Sequence, residues 1–321
     1  MHMFVATDTA TEPQYKYITD ADFAAYGVWC APHVAAFNPV PSGPLYHYTS
    51  GNGLIEIIKS GELWSTQVAC LNDSSEMLYP IELLRTKVKE KRAARITSEV
   101  EFLLERIDVG LTEPQMNTEG RFLACFSEDG DDLSQWRAYG GGEGGYAIQF
   151  DSQYLRKLPD AVTILSKVEY DVEKQNLFFD DALENVIRFF IDGLQKKRAP
   201  TKEEWALEFL TYWELLVIVF APYIKHPRFA GEREWRLVHP LQDEAIPRMR
   251  YLQRSSMMTK HVPLRLMTRD GQPRLPLTGI VVGPSRHKEI SKIAVGDLLR
   301  THGYSDKDVP VSVTTIPYRM V

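Results

Sequence analysis

Cysteine is scarce in this chain. Only Cys30, Cys70 and Cys125 carry thiols among 321 residues; they lie far apart and form no CxxC pair. A disulfide framework or a thiolate zinc site is therefore not expected, and a reducing compartment is. No HExxH occurs, and His226 and His239 stand isolated, so no metal site is expected. Long apolar runs are missing too. The longest, Leu215 to Ala221, falls well short of the roughly 20 residues that a membrane-spanning helix needs. No basic segment followed by an apolar run opens the chain, so no signal peptide is expected. Positive charge is not in excess. Lys and Arg number 37 against 43 Asp and Glu, a net charge of −6, which gives no overall basic field for nucleic acid. No G-x-S-x-G elbow surrounds Ser127, and Gly283-Pro284-Ser285 lacks the G-x-x-x-x-G-K-[ST] and G-x-G-x-x-G spacings of phosphate loops. The expectation from these absences is a soluble cytoplasmic protein with no membrane partner. With 44% hydrophobic and 25% charged residues, it has ample material for a core.

The most informative stretch that is present runs from Arg121 to Asp151. Phe122 to Phe126 is apolar and aromatic, as in a strand, and Ser127-Glu128-Asp129-Gly130 breaks it with turn residues. Asp131 and Asp132 suit a helix start, where carboxylates meet unpaired N–H groups and the positive end of the dipole. Leu133, Trp136 and Tyr139 then recur at helical spacing. Five glycines between Gly140 and Gly145 end the helix, and Tyr146 to Phe150 returns as a strand. Strand, helix, bare loop and strand form a frame for a cleft, or a packed β-α-β fragment with a glycine crossover.

Along the rest of the chain, residues 1–43 read as an N-terminal arm, irregular or in short strands, with prolines at 32, 39 and 41. Leu45 to Tyr48 reads as a strand, Gly53 to Ser60 as a one-faced helix stopped by Gly61, and Leu63 to Ser65 as a strand. Asn72 to Glu76 is a turn leading to helices over 77–91 and 96–107. Val162 to Tyr170 is a strand, followed by long helices over about 174–197 and 202–221 that carry Trp205 and Trp213. Glu232 to His239, Thr278 to Val282 and Val309 to Ile316 read as strands, and Lys288 to Thr301 as a helix. No repeat or clear linker interrupts this order. The pattern predicts a single α+β domain over 44–321 with a helical insertion at about 174–221.

Four places could carry chemistry. His47 is either a structural strand histidine or a ligand contact. Ser127 ends its strand, where serine often forms a turn. On a strand, Glu232 and Glu234 would share one face, which either pairs with basic neighbours or holds two carboxylates close enough to raise a pKa. Gly283-Pro284-Ser285 follows a strand and reads as a helix start rather than a phosphate site.

The order of these pieces carries more than any one of them. Leu45-Tyr46-His47-Tyr48-Thr49-Ser50, Leu63-Trp64, Asn72-Asp73, Phe126-Ser127, Trp136 to Tyr139, Gly145 to Phe150, Glu232-Arg233-Glu234-Trp235-Arg236, Gly283-Pro284 and Pro317-Tyr318-Arg319 resemble, in that order, the bacterial DUF2971 family over about 44–319. More distantly, the layout is similar to the ADP-ribosyltransferase superfamily. There, a first strand carries His or Arg, a later strand ends in a serine motif, and a late strand begins with E-x-E. This chain departs from that pattern with Phe126-Ser127-Glu128 at the serine motif and with His in place of the Arg usual beside E-x-E.

The resemblance implies an ADP-ribosyltransferase-like split mixed β-sheet and an NAD-consuming transferase, of the kind used as a bacterial toxin or phage-defence effector. NAD would be the co-substrate, with no metal. Glu234, Glu232 and Ser127 would be catalytic; His47, Tyr48, Thr49, Trp136 and Tyr139 would bind the cofactor. The acceptor would be a protein or a nucleic acid, and an antitoxin or regulatory partner would fit such an effector. Two other readings stand beside it: a catalytically silent nucleotide- or protein-binding module of the same fold, and a metal-dependent phosphodiesterase using the paired glutamates.

Overall fold

The computed structural model describes residues 16–71, 77–111, 121–140, 144–156, 164–240, 248–253, 257–264, 268–269 and 272–317. The expected turn at 72–76, the middle of the glycine loop (141–143) and Tyr318-Arg319 lie outside them. In chain order the elements are α1 (Asp20–Phe37), β1 (Leu45–Thr49), α2 (Gly51–Ser60), β2 (Leu63–Gln67), α3 (Leu78–Ala93), α4 (Ser98–Gly110), β3 (Arg121–Ser127) and α5 (Leu133–Tyr139). Next come β4 (Tyr146–Phe150), α6 (Ser152–Leu155), β5 (Ile164–Lys167), α7 (Val172–Gln195), α8 (Lys202–Phe220) and β6 (Glu234–Pro240). The chain closes with β7 (Arg250–Gln253), β8 (Met258–Leu264), β9 (Thr268–Arg269), β10 (Gln272–Pro273), β11 (Leu277–Val282), α9 (Lys288–Thr301) and β12 (Val311–Val313).

The chain divides into two compact units. The first takes residues 1–39, 72–118 and 168–228, and its elements are α1, α3, α4, α7 and α8. The helices expected over 174–221 belong to it. Their packing depends on Gly193, where an added Cβ would overlap the Trp205 ring. Trp205 is buried, and its indole N–H donates to the Phe190 carbonyl at 3.0 Å. The Gln175 amide donates to the carbonyls of Glu169 and Lys225 at 2.7 and 2.9 Å, tying the start of α7 to the chain that follows α8.

Helix α1 corrects the expectation of an irregular or stranded arm. A capping box between Thr19 and Asp22 starts it, and Pro32 sits inside it rather than ending it. Asp22, buried in that first turn, is ion-paired with Arg198.

The second unit takes residues 40–71, 119–167 and 229–321 and, among the described residues, contains every strand. The architecture is a mixed α/β one. A ten-stranded sheet runs β12-β11-β4-β1-β3-β2-β8-β7, with β6 pairing both β3 and β5. β11 and β12 run parallel, while the pairs β1–β4, β1–β3 and β3–β6 are antiparallel. β3 is the pivot. One edge pairs with β6 along its whole length, Arg121 opposite Pro240 through to Ser127 opposite Glu234. The other edge is divided: Phe122 and Leu123 pair with β2, and Ser127 pairs with Tyr46 of β1. The sheet therefore splits along β3. Leu45, Phe126, Ile148, Phe150, Trp235 and Leu237 form the core on one side with Leu54, Ile57 and Ile58 of α2 and with Val295 and Leu299 of α9.

Candidate functional site

The registers at the split fix which side chains can meet. Tyr46, Ser127 and Glu234 lie directly opposite one another across β1, β3 and β6. Residues directly opposite in a ladder share a face, and neighbours along a strand alternate. Ser127 and Glu234 are thus adjacent on one face, joined there by Tyr48 and Arg236, each two residues along its own strand. His47 and Thr49 fall on the other face. The contacts agree with this. The His47 ring meets the Phe126 ring at 5.9 Å between centroids, on the core side. Thr49 packs on α2 at Gly53, where an added Cβ would overlap its hydroxyl.

His47 sits where β1 leaves β3, with Nδ1 2.9 Å from the Cys125 carbonyl oxygen. Desolvation holds its pKa below the usual imidazole value, and the carbonyl contact only partly offsets this. It is a neutral group at the split. The register therefore joins Ser127 and Glu234 on one face and turns His47 to the other.

The paired-glutamate expectation needs correction. β6 begins at Glu234, and Glu232 closes a 3-10 turn over Pro227–Glu232. Arg233 between them has φ of 46°, in the left-handed region, so strand alternation does not reach back to Glu232. The partner at strand spacing is instead Arg236. Its Nε donates to Glu234 Oε1 at 2.8 Å and its terminal nitrogen to Oε2 at 3.0 Å. Both side chains are buried, Glu234 at 6% and Arg236 at 1% exposure. A guanidinium fork on a carboxylate is the strong form of this contact, and inside a protein neither charge is tolerated alone.

Ser127, also buried, organises the neighbouring turns. Its hydroxyl donates to the Glu232 carbonyl at 2.8 Å and accepts from the Asp129 N–H at 3.1 Å. Arg233 donates to Asp129 at 2.6 Å, and the Glu128 N–H donates to the Arg233 carbonyl at 3.2 Å. One hydroxyl therefore locks the turn after β3 to the turn before β6. Glu128 accepts from Lys167 Nζ at 2.6 Å and from the Trp235 indole at 2.9 Å. Burial opposes the Glu128 charge, but these donors outweigh it and hold the carboxyl below its ordinary value.

The aromatic candidates have structural partners. Tyr48 and Trp136 meet edge to face at 4.6 Å, with Ala147 beside them. Tyr48 donates its hydroxyl to the Asp129 carbonyl at 2.8 Å and accepts from the Asp132 N–H at 3.0 Å; burial above all raises its pKa. Trp136 is fully buried, and its indole donates to Asp131 at 2.9 Å. Asp131 also accepts from the Thr315 N–H at 3.0 Å and from the Thr314 hydroxyl. Burial works against its charge, yet these donors leave the carboxyl below its ordinary value. Gly283 is needed here, because a Cβ on it would come within 2.8 Å of the Trp136 ring. Tyr139 ends α5 and is exposed at 36%.

Sequence reading missed Asp129, Arg233 and Arg236 as members of this cluster. For Arg236 the signal was present: an opposite charge two residues beyond Glu234 on a strand shares its face. Asp129 and Arg233 are joined by turn geometry, which no spacing announces. Among the described residues, no group of three or more His, Cys, Asp or Glu side chains is arranged to hold a metal ion. No described helix is long and apolar enough to cross a membrane.

Fold and site thus define a mixed α/β protein with a buried Ser–Glu–Arg cluster at the split of a mixed sheet. Residues 135–237, from α5 through most of β6, match the family described as "Protein of unknown function (DUF2971)". That stretch includes Trp136, Glu232 and Glu234. No curated protein matches the chain, and no solved structure matches it.

Proposed function

We propose that the chain is an ADP-ribosyltransferase-like enzyme that cleaves the nicotinamide–ribose bond of NAD, with Glu234 as its essential carboxylate. The observation that carries this reading is the row Tyr46–Ser127–Glu234 across three adjacent strands, at the point where the sheet splits. Breaking that bond develops positive charge on the ribose, an oxocarbenium-like state. A fixed carboxylate facing the charge stabilises the transition state more than the ground state, provided it is held before the reaction begins. Arg236 on Glu234 and Ser127 on the Glu232 carbonyl supply such holding. Glu232 would meet the acceptor nucleophile from its turn, not from the strand. His47 would act through the backbone at the split. The acceptor would be a protein or a nucleic acid.

A second reading has a specific observation in its favour. Glu234 is buried and doubly bonded by Arg236, and Trp136 is fully buried, as suits a catalytically silent binding module of this architecture. Incubation with NAD labelled in the nicotinamide ring separates the two. The transferase reading expects nicotinamide release, reduced about a hundred- to a thousandfold by Glu234→Gln under conditions where the variant is folded. NAD binding without release supports the silent module. Neither binding nor release refutes both.

A further inference from the structure

Within the sheet unit, a cavity of about 230 Å³ is walled by α6, the chain entering β11 and the chain joining α9 to β12. At about 30 Å³ for each water molecule, it has room for a ligand of about eight non-hydrogen atoms. None of its walls belongs to the Ser127–Glu234–Arg236 cluster. Leu277 and Val309, both buried, give it an apolar lining.

The charged members of the lining are what select an occupant. Arg274 is half-buried, yet it makes no hydrogen bond or ion pair among the described residues. It is nevertheless held in place. An added Cβ on Gly303, whose φ is 80°, would come within 2.5 Å of the guanidinium, so glycine there lets Arg274 lie against the backbone. The Tyr304 hydroxyl accepts from the Leu275 N–H at 3.1 Å, which ties the chain carrying Arg274 to the chain after α9. Two carboxylates line the same space. Asp151 Oδ1 accepts from the Gln153 N–H at 2.9 Å, and Asp308 Oδ2 accepts from the Ser305 hydroxyl at 2.8 Å. The other oxygen of each has no partner among the described residues.

We propose that this cavity binds a free α-amino acid with a small apolar side chain. A simple anion matches Arg274 but meets two carboxylates, and a simple cation matches the carboxylates but meets Arg274. A zwitterion satisfies both signs at once. The guanidinium fork takes its carboxylate, and the spare aspartate oxygens accept from its ammonium. Leu277 and Val309 then cover its side chain. The inference does not depend on the reading of the sheet split as a transferase site.

The test uses the full chain at pH 7 and three probes on one carbon skeleton, followed by ligand-detected saturation-transfer NMR. They are L-valine, 3-methylbutanoate, which lacks the ammonium, and 2-methylpropylamine, which lacks the carboxylate. Valine is expected to saturate with a dissociation constant below about 1 mM, at least about tenfold tighter than either analogue. Arg274→Gln should weaken valine at least about tenfold and erase its advantage over the amine. The double variant Asp151→Asn/Asp308→Asn, which keeps an acceptor at the α6 cap and at Ser305, should erase its advantage over 3-methylbutanoate. Arg188→Gln, in the helical unit, should change neither. Circular dichroism verifies that each variant is folded. Valine that fails to saturate on the unaltered chain overturns the proposal, and so does either analogue binding as tightly. Undiminished valine binding by folded Arg274→Gln overturns it too, as does a loss of binding in Arg188→Gln. If Arg274→Gln unfolds, the aspartate pair decides: an advantage over 3-methylbutanoate that survives the double variant refutes the zwitterion.

Discussion

Replacing Glu234 with glutamine removes the charge from a carboxylate whose two oxygens accept from Arg236 at 2.8 and 3.0 Å. The guanidinium left behind is 1% exposed and cannot recover its hydration without opening the sheet. Removing one partner of a buried ion pair costs about 3–5 kcal/mol. Glutamine keeps the size and one acceptor oxygen, so the lower end, about 3 kcal/mol, is expected. With a urea dependence of about 3 kcal/mol per molar, the unfolding midpoint should fall by about 1 M. Arg236→Met alone should destabilise similarly, because it strands the carboxylate instead. The double variant Glu234→Gln/Arg236→Met strands neither charge and should return to within about 1 kcal/mol of the unaltered chain. Urea titrations followed by circular dichroism and tryptophan fluorescence measure all four proteins. Additive effects of the two single changes, or a neutral Glu234→Gln, would refute the account of the pair. The stable double variant also isolates catalysis from folding. If it releases nicotinamide like the unaltered chain, Glu234 is structural and the transferase proposal falls.

Two further outcomes follow from packing and titration. Gly130→Ala puts a methyl group into the Tyr46 ring and should cost about 1–3 kcal/mol, whereas Gly231→Ala, with nothing within 4 Å of its added Cβ, should stay within about 0.5 kcal/mol; urea midpoints compare them. Burial pushes the Cys30 thiol up to about 11, with a hydrogen bond to Tyr26 acting weakly against it, so alkylation at pH 8 should be far slower in the folded chain than in urea. Because that pKa is raised on folding, the associated stability is intact below the unfolded thiol value, about 8.5, and is lost as pH rises through the folded value. A mass-spectrometric rate for Cys30 that matches the unfolded rate would contradict the burial.

Much of the sheet unit was legible because its signals are local. β1, α2 and β2 were marked by a short apolar strand, a Ser50 cap that accepts from Gly53, and Gly61 in the left-handed C-cap conformation. β3, α5 and β4 were marked by an aromatic strand, the Asp132 cap and the glycines. α1 was missed because prolines at 32, 39 and 41 outweighed the Thr19 and Asp22 capping signal in the reading. β7 and β8 were missed for another reason. Arg250 to Gln253 is exposed at every position, as on a sheet edge, so it carries no apolar alternation to detect. Met258 to Leu264 does show partial alternation of burial, but Lys260 and His261 hide it in the sequence. Buried His261 lies between Thr66 and Thr259, at 3.1 and 2.7 Å, and no single-strand pattern foretells that arrangement.

Of the cluster at the split, Ser127 and Glu234 were singled out by the sequence and Asp129, Arg233 and Arg236 were not, and much of the reason lies in one dihedral angle. Inferring a shared face from two glutamates two positions apart requires the residue between them to be extended. Arg233 is not; its positive φ lets the chain turn from Pro227–Glu232 into β6 and lets its side chain reach Asp129. The left-handed conformation is costly for a residue with a Cβ and persists where surrounding contacts over-determine it. Here those contacts are the Asp129 carboxylate on the guanidinium, the Glu128 N–H on the Arg233 carbonyl, and the Ser127 hydroxyl on the carbonyl just before it. The two glutamates are thereby given different mechanical settings. Glu234 is clamped within the sheet by Arg236, while Glu232 is carried on a turn whose position depends on Ser127. In the transferase reading this separates a fixed carboxylate for the developing cation from one that approaches the acceptor from outside the strand, a division of labour that an unbroken E-x-E strand would not create.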